Sequence, residues 1–440
     1  MLLNCDPLHS DLPAGWTKKP LAQLCRIMSG GTPPKSEARY WSGDIPWVSG
    51  KDMKSPRLSD TIDHVSEEAI GAGTRMAPAG SVFLLVRGMG LAKDLPVAVA
   101  TRPMAFNQDV KALVPKHPGA GYFIRSAIYQ RRSELLGRIV PSAHGTMTLN
   151  LDDIETFDIP TPSDPSESDA IGHALELLED SSRKSVEELS ALLRLKEAAM
   201  RTLFTRGLRG EAQKETEIGP VPESWEVREF ESVRERLQYG TSIHCTNEAT
   251  PHPVLRIPNI EPGRVNANDL KFANLRPEEA ERYRLEKGDL VFIRTNGVIV
   301  RLGAAAVYDG QPEGALFASY LIRAKLKRDE IEPRFASYFF ESDLGTSIVT
   351  ARATPASDGK YNLNTGAIDG FLIPLPPTLD EQREIVAILD AIDRKIDLHR
   401  RKRVVLDELF KALLHKLMTG EIRVADLDLS ALDAARSLMV

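Results

Sequence analysis

Residues 380–419 read DEQREIVAILDAIDRKIDLHRRKRVVLDELFKALLHKLMT, and this stretch decides the architecture. Apolar side chains recur in alternating steps of four and three, at Ile385, Leu389, Ile392 and Ile396, then at Leu406, Phe410, Leu413 and Leu417. That spacing is the narrow stripe of a coiled-coil seam, with polar slots at His399 and Arg403. Thr378 and Glu381 have the spacing of a capping box, and Gly420 suits the left-handed residue that ends a helix. A second stretch, 169–205, carries the stripe Ile171, Leu175, Leu178, Leu189, Leu192 and Leu203. A shift of 214 residues lays Ile171 on Ile385, Leu175 on Leu389, Leu192 on Leu406 and Leu203 on Leu417, with Ser182 and Ser185 in the polar gap. Two unrelated amphipathic helices would explain each stripe but not their common register. A pair of rods of ~54 Å, packed seam to seam, explains both.

The rest of the chain repeats with the helices. Leu12-Pro13-Ala14-Gly15-Trp16 recurs as Val221-Pro222-Glu223-Ser224-Trp225, and Gly30 and Thr32 recur near Gly240 and Thr241. Leu149-Asn150, Ile154 and Ile159-Pro160 recur as Leu363-Asn364, Ile368 and Ile373-Pro374. Each half is a globular module, a proline-rich exit and a long helix. Glycine-led apolar runs at 80–86 and 288–293 predict buried strands, partnered by 97–100 and 304–307. Segments 119–136 and 331–348 have helical spacing and predict one short helix per module. The fold class is α+β, with a mainly antiparallel sheet in each module. The boundaries are 1–162 for the first module, 163–211 for the central helix and linker, 212–377 for the second module and 378–440 for the distal helix and tail. Segment 206–219 is polar and glycine-containing, as a linker would be.

Composition narrows the function by exclusion. The 440 residues allow two to four domains, and no run of 18 apolar residues predicts a membrane span. The N-terminal stretch lacks the basic start and apolar core of a secretion signal. Cys5, Cys25 and Cys245 are isolated, which suits a reducing cytoplasm and forms no metal spacing. The net charge of −6 is shared out as +2, −3, −4 and −1 over the four segments, so contacts to an anionic polymer must come from local patches. No phosphate-cradling loop, dinucleotide fingerprint or Asn-Pro-Pro-aromatic motif for a flipped adenine occurs. The pairs Asp152-Asp153 and Glu278-Glu279 are read as caps or solvated faces, and the lone His144 and His399 as a loop residue and a coiled-coil polar slot.

The run GGTPPKSEARYWSGDIPWVSGKDM at 30–53, then Val86-Arg87-Gly88, Phe106-Asn107-Gln108-Asp109 and Leu149-Asn150, resembles the first target-recognition domain of type I restriction–modification specificity subunits. The run from Leu375-Pro376-Pro377 through Asp380-Glu381-Gln382-Arg383-Glu384 to Leu417-Met418-Thr419-Gly420 is similar to that family's distal helix. Two departures stand out: the first helix opens with Ser166-Glu167-Ser168-Asp169, and the second module has Phe317-Ala318-Ser319-Tyr320 in place of Phe-Asn-Gln-Asp. The resemblance implies a non-catalytic subunit in which two recognition domains lie on an antiparallel coiled-coil pair of helices in pseudo-twofold arrangement. Each domain then reads one half of a bipartite site in double-stranded DNA. It further implies two methyltransferase subunits and, through the complex, ATP-dependent restriction subunits as partners. S-adenosylmethionine, ATP and magnesium would belong to those partners, leaving this chain without a cofactor.

Loops that read DNA need donors for phosphate and side chains for base edges. The candidates in the first module are Thr32, Lys35, Tyr40, Trp41, Lys51, Arg87, Lys93 and Gln108. In the second they are Tyr239, Thr241, Arg256, Asn259, Arg294, Asn296, Arg301 and Tyr320. Arg87 and Gln108 have the donor sets that pair with guanine and adenine, and Lys35 and Lys51 suit phosphate. Tyr40 and Trp41 equally suit packing beneath their loop, and Trp16 and Trp225 read as core. The competing readings are a stand-alone methyltransferase or nuclease with divergent motifs, and a protein-binding scaffold.

Overall fold

The structure is a computed structural model that describes residues 12–141 and 145–430. The chain divides into two compact units, Met1–Glu187 with Arg401–Val440, and Glu188–Arg400. The long helices are continuous, Pro165–Arg206 and Leu379–Thr419. Each unit therefore holds one globular domain and one portion of both helices, which differs from the four consecutive segments expected from sequence.

Unit 1 is built on a five-stranded sheet in the order Cys25–Ser29, Val110–Pro115, Val82–Leu85, Val97–Ala100, Arg57–Leu58. The predicted run at 80–86 is its central strand, and its four residues are all buried. Unit 2 repeats the plan with Arg234–Tyr239, Leu321–Leu326, Leu290–Ile293, Ala305–Val307, Gly263–Val265 and Ile260–Glu261. Each unit also has a second sheet absent from the sequence reading. In unit 1 it joins Ile45–Val48 to Met104–Phe106 in parallel, and in unit 2 Pro253–Leu255 to Leu316–Phe317 in parallel. Parallel partners lie far apart in sequence, so no local hairpin signal announces them. A short ladder closes each domain: Trp16–Pro20 on Asp158–Pro162, and Glu226–Glu229 on Leu372–Leu375. The repeated tryptophans head these ladders as core residues, Trp16 beside Phe123 and Trp225 beside Phe335.

The one helix expected per module is two in each case. Gly121–Gln130 is followed by Arg132–Leu136, and Pro333–Glu341 by Asp343–Ala351. In unit 2 the break falls at Ser342, whose hydroxyl accepts the Gly345 N–H (3.2 Å) and starts the second helix. The polar segment expected to be a linker contains a hairpin, Gln213–Thr216 with Gly219–Pro222. Gly219 sits at φ +96°, Thr216 Oγ1 donates to its carbonyl (2.6 Å), and Ile218 and Val221 are buried. Two apolar anchors suffice to hold a turn whose composition is otherwise polar.

The helix pair runs antiparallel within each unit. In unit 1 the Ser182 hydroxyl donates to Asp407 (3.0 Å), while Ile171 and Leu175 share a core with Leu414, Leu417 and Met418. In unit 2 His399 Nδ1 lies 3.2 Å from Glu188, so His399 fills a polar slot, and Met200, Leu203 and Phe204 share a core with Ile385, Val386 and Leu389. The stripe is wider at the ends than a seam. Ile171, Ala174, Leu175, Leu177 and Leu178 are all buried because the domain covers them as well. Ile396 and Leu406 are buried, whereas Leu189, Leu192, Ile392, Phe410 and Leu413 are half-buried. The capping box forms in part. Glu381 N–H donates to Thr378 Oγ1 (3.3 Å), but the Glu381 carboxylate accepts from Trp225 Nε1 (3.2 Å) instead of turning back. Gly420 ends the helix at φ +69° as expected. The tail after it packs on unit 1 through Ile422, Val424, Leu427 and Leu429, and Arg423 pairs with Glu167 (3.2 Å). Cys5 and His144 lie outside the described residues.

Candidate nucleic-acid interface

In each unit one end of the central strand opens into a face made of four segments, and the backbone fixes them identically. In unit 1 the Val86 N–H donates to Asp109 O (2.8 Å), Leu149 N–H to Val86 O (2.9 Å) and Gly31 N–H to Phe106 O (2.9 Å). In unit 2 Arg294 N–H donates to Tyr320 O (3.0 Å), Leu363 N–H to Arg294 O (2.7 Å) and Thr241 N–H to Phe317 O (2.9 Å). Gly30 and Gly240 are the fixed point of the match, since a Cβ on either would overlap the carbonyl oxygens of the facing strand end. The fourth segment is a small hairpin, Val140–Pro141 with Met147–Thr148 in unit 1. In unit 2 it is Thr354–Pro355 with Tyr361–Asn362, extended by Thr295–Asn296.

The side chains on this shared frame differ. In unit 1 Thr32 Oγ1 donates to Gln108 Oε1 (2.7 Å), bringing two candidates together, and Arg87 and Lys93 are exposed beside them. Lys111 Nζ donates to Ser29 (2.6 Å), and burial, with Arg87 nearby, holds its pKa below the usual lysine range. Lys35 is exposed, and Lys51 is exposed and paired with Asp63 (2.7 Å). Tyr40 and Trp41 take the packing role: both join a small cluster around Trp47, Trp41 edge-on at 5.1 Å with its Nε1 donating to Pro34 O (3.3 Å).

In unit 2 Tyr320 is 56 % exposed and Arg301 is exposed. Tyr239 is exposed on one side, and the Arg294 guanidinium stacks 4.8 Å from its ring centre while Nη1 donates to Ser319 O (3.3 Å). Two candidates are internal. Thr241 is 7 % exposed, its hydroxyl accepting the Ile243 N–H (3.2 Å). Asn259 is 0 % exposed, and its amide is consumed by Arg256 N–H (2.9 Å) and the carbonyls of Asn266 (3.0 Å) and Asn268 (2.8 Å). Arg256 is tied to Asp269 (3.1 Å), and Asn296 accepts the Val298 N–H (2.9 Å). Asn259 and Thr241 thus shape loops and are not surface contacts.

A family model for the type I restriction modification DNA specificity domain matches residues 13–191 and 222–408. The chain belongs to this family. Members are the non-catalytic, DNA-recognition component of type I restriction–modification enzymes, and the two matches are two recognition domains. The EcoKI specificity subunit of Escherichia coli K12 is 25% identical over 430 residues, covering 93% of this chain and 90% of that protein. The MjaX specificity subunit of Methanocaldococcus jannaschii is 30% identical over 207 residues, 47% of this chain and 48% of that protein, so this match spans about half of the relative. Among solved structures, the S subunit from M. genitalium superposes with a TM-score of 0.62 at 14% identity, covering 95% of this chain and 98% of that one. It shows the same fold.

The subunit locks each recognition domain to its helices with buried charge. In unit 1 Arg57 reaches Asp180 (2.8 Å) and Glu176 (3.3 Å), and Arg125 pairs with Glu179, whose pKa burial pushes up. In unit 2 Lys196 bridges Glu341 (2.6 Å) and Asp393 (2.8 Å), Arg334 pairs with Asp390, and the Tyr338 hydroxyl sits 2.6 Å from Asp390 and 2.8 Å from Asp393. Burial raises the pKa of both Tyr338 and Glu341. No group of three or more metal-ligating side chains occurs among the described residues, and Asp152-Asp153 and Glu278-Glu279 sit in first turns of short helices. No helix among the described residues is long and apolar enough to cross a membrane.

Sequence reading missed the tip residues. Met89 is 68 % exposed, and Val298 and Val300 are exposed on the corresponding loop of unit 2. The pairings of Val140–Pro141 with Met147–Thr148 and of Thr354–Pro355 with Tyr361–Asn362 were also missed. Their signal was available, because the repeated Leu149-Asn150 and Leu363-Asn364 directly follow them.

Proposed function

We propose that each recognition domain of this subunit reads one half of a bipartite, asymmetric site in double-stranded DNA, and that the continuous helices set the spacing between the halves. The reading rests on one observation above all. The same four-segment face is built twice on matching backbone bonds but carries different side chains, as two readers of different half-sites require. Helices of 42 and 41 residues give rods of about 60 Å, long enough to separate half-sites by an unread gap.

The partners are two methyltransferase subunits, with restriction subunits joining through the complex; S-adenosylmethionine, ATP and magnesium serve there, in the cytoplasm where the DNA is. The helices carry a surface suited to docking. In unit 1 they expose Val186, Val404, Val405 and Leu409, next to Arg401 and Arg403, and in unit 2 Leu193, Leu195, Ile388 and Leu398. Exposed apolar rows rimmed by charge are the usual mark of a protein interface. The test is to purify the chain with its methyltransferase subunits and map methylation on a random duplex pool. A gapped motif read by the complex is expected. Turnover by this chain alone with S-adenosylmethionine or ATP would favour a stand-alone enzyme, and a complex with no sequence preference would favour a scaffold.

A further inference from the structure

The backbone bonds of the two faces give a residue-by-residue register. Leu85 and Ile293 end the central strands, pairing with Val110 and Leu321. Val86 and Arg294 come next, each donating to the facing loop and accepting from Leu149 or Leu363. Then Arg87 bridges Thr148, and Thr295 pairs with Asn362. Arg294 is therefore the counterpart of Val86, a buried residue, and not of Arg87. Its side chain behaves accordingly: its Nε is buried without a partner, its guanidinium lies on Tyr239 and Nη1 holds Ser319 O (3.3 Å). Tyr239 in turn accepts the Thr365 N–H through its hydroxyl (3.2 Å). Arg294 thus joins the strand end at Tyr239 to the loop at Ser319, and Tyr239 carries the link on to the helix start at Thr365.

We propose, resting on the DNA-reading function above, that the position after this slot determines specificity in both domains, Arg87 in the first and Thr295 in the second, while Arg294 is a positioning residue that orders the second face. Arg87 is exposed, with no ion pair among the described residues, and presents the planar donor fork that pairs with guanine N7 and O6. Thr295 offers a short hydroxyl and a methyl at the same place, a pair of groups that suits a different base edge, including the thymine methyl.

The experiment uses the chain assembled with its methyltransferase subunits, scoring base preference at every position on a random duplex pool together with overall kcat/KM. Arg87→Ala relaxes one base of one half-site by roughly tenfold or more and leaves the other half unchanged. Thr295→Ala relaxes one base of the other half. Arg294→Met lowers kcat/KM on all sequences by a common factor while every base preference stays as in the parent, and Arg294→Lys restores part of the loss. If Arg294→Met yields no soluble complex, Tyr239→Leu, which removes the surface beneath the guanidinium together with the hydroxyl that holds the Thr365 N–H, gives the same uniform loss. A relaxed base in Arg294→Met or Tyr239→Leu, or unchanged preference at every base in Thr295→Ala, overturns the assignment. Exchange of residues 212–377 for a relative's domain separates the two levels: one changed half-site with the assignment overturned leaves two-domain reading intact, whereas no change in either half defeats that reading itself.

Discussion

The two domain–helix junctions solve one problem with exchanged parts. In unit 1 the bases come from the domain, Arg57 and Arg125, and the acids from the first long helix, Glu176, Glu179 and Asp180. In unit 2 a lysine of the first long helix faces an acid of the domain, Glu341, while acids of the second helix face Arg334 and Tyr338. The reading faces show the opposite economy, keeping the backbone bonds and changing the side chains. A junction needs only charge balance in a buried place, so its residues can trade sides. A reading face needs fixed geometry, so its backbone is held and its side chains vary.

That contrast can be broken most forcefully at the junctions. Arg125 is 5 % exposed, so Glu179→Leu leaves an unpaired buried charge and should cost about 3–5 kcal/mol in urea unfolding. The double change Arg125→Met with Glu179→Leu should recover most of it, because the pair is local. In unit 2 Lys196→Met should cost a similar amount, but adding Glu341→Leu should recover less, since Asp393 also loses its cation and is left with the Tyr338 hydroxyl. Equal recovery in both units would show that the two networks are not differently wired. A smaller effect is expected for Trp225→Phe, which removes the donor to Glu381 (3.2 Å) and should cost roughly 1–2 kcal/mol. Thr378→Ala, deleting the helix cap, should cost about 1 kcal/mol; a larger loss for Thr378→Ala than for Trp225→Phe would show that the Thr378 hydroxyl, and not the Glu381 carboxylate held by Trp225, is the main anchor of the helix start.

The repeat made most of this fold legible. Helices with a shared seam, paired tryptophans and paired Leu-Asn steps gave two α+β domains with two long helices, because each rests on local periodicity or an exact recurrence. The reading face was less legible, and its errors share a physical cause. Register across the repeat changes with each loop of unequal length, so anchors at a shift of 209 or 214 do not carry into the loops between them. Thr241 was matched with Thr32, but its bonds make it the counterpart of Gly31, and it is buried. Arg294 and Arg87 were both candidates for base contact, but the backbone bonds place Arg294 opposite Val86, one residue before the counterpart of Arg87. Asn259 looked like a polar loop residue, and only the three-dimensional structure shows its amide spent inside the loop. Ser242, exposed beside Thr241, is the residue that corresponds to Thr32.

The central claim, two faces reading two half-sites independently, is tested most directly by methylome sequencing of cells in which residues 212–377 are exchanged for the corresponding domain of another specificity subunit. The account predicts a motif in which one half-site changes while the other half-site and the gap length stay as they were. A motif altered in both halves, or an unaltered motif, would contradict it.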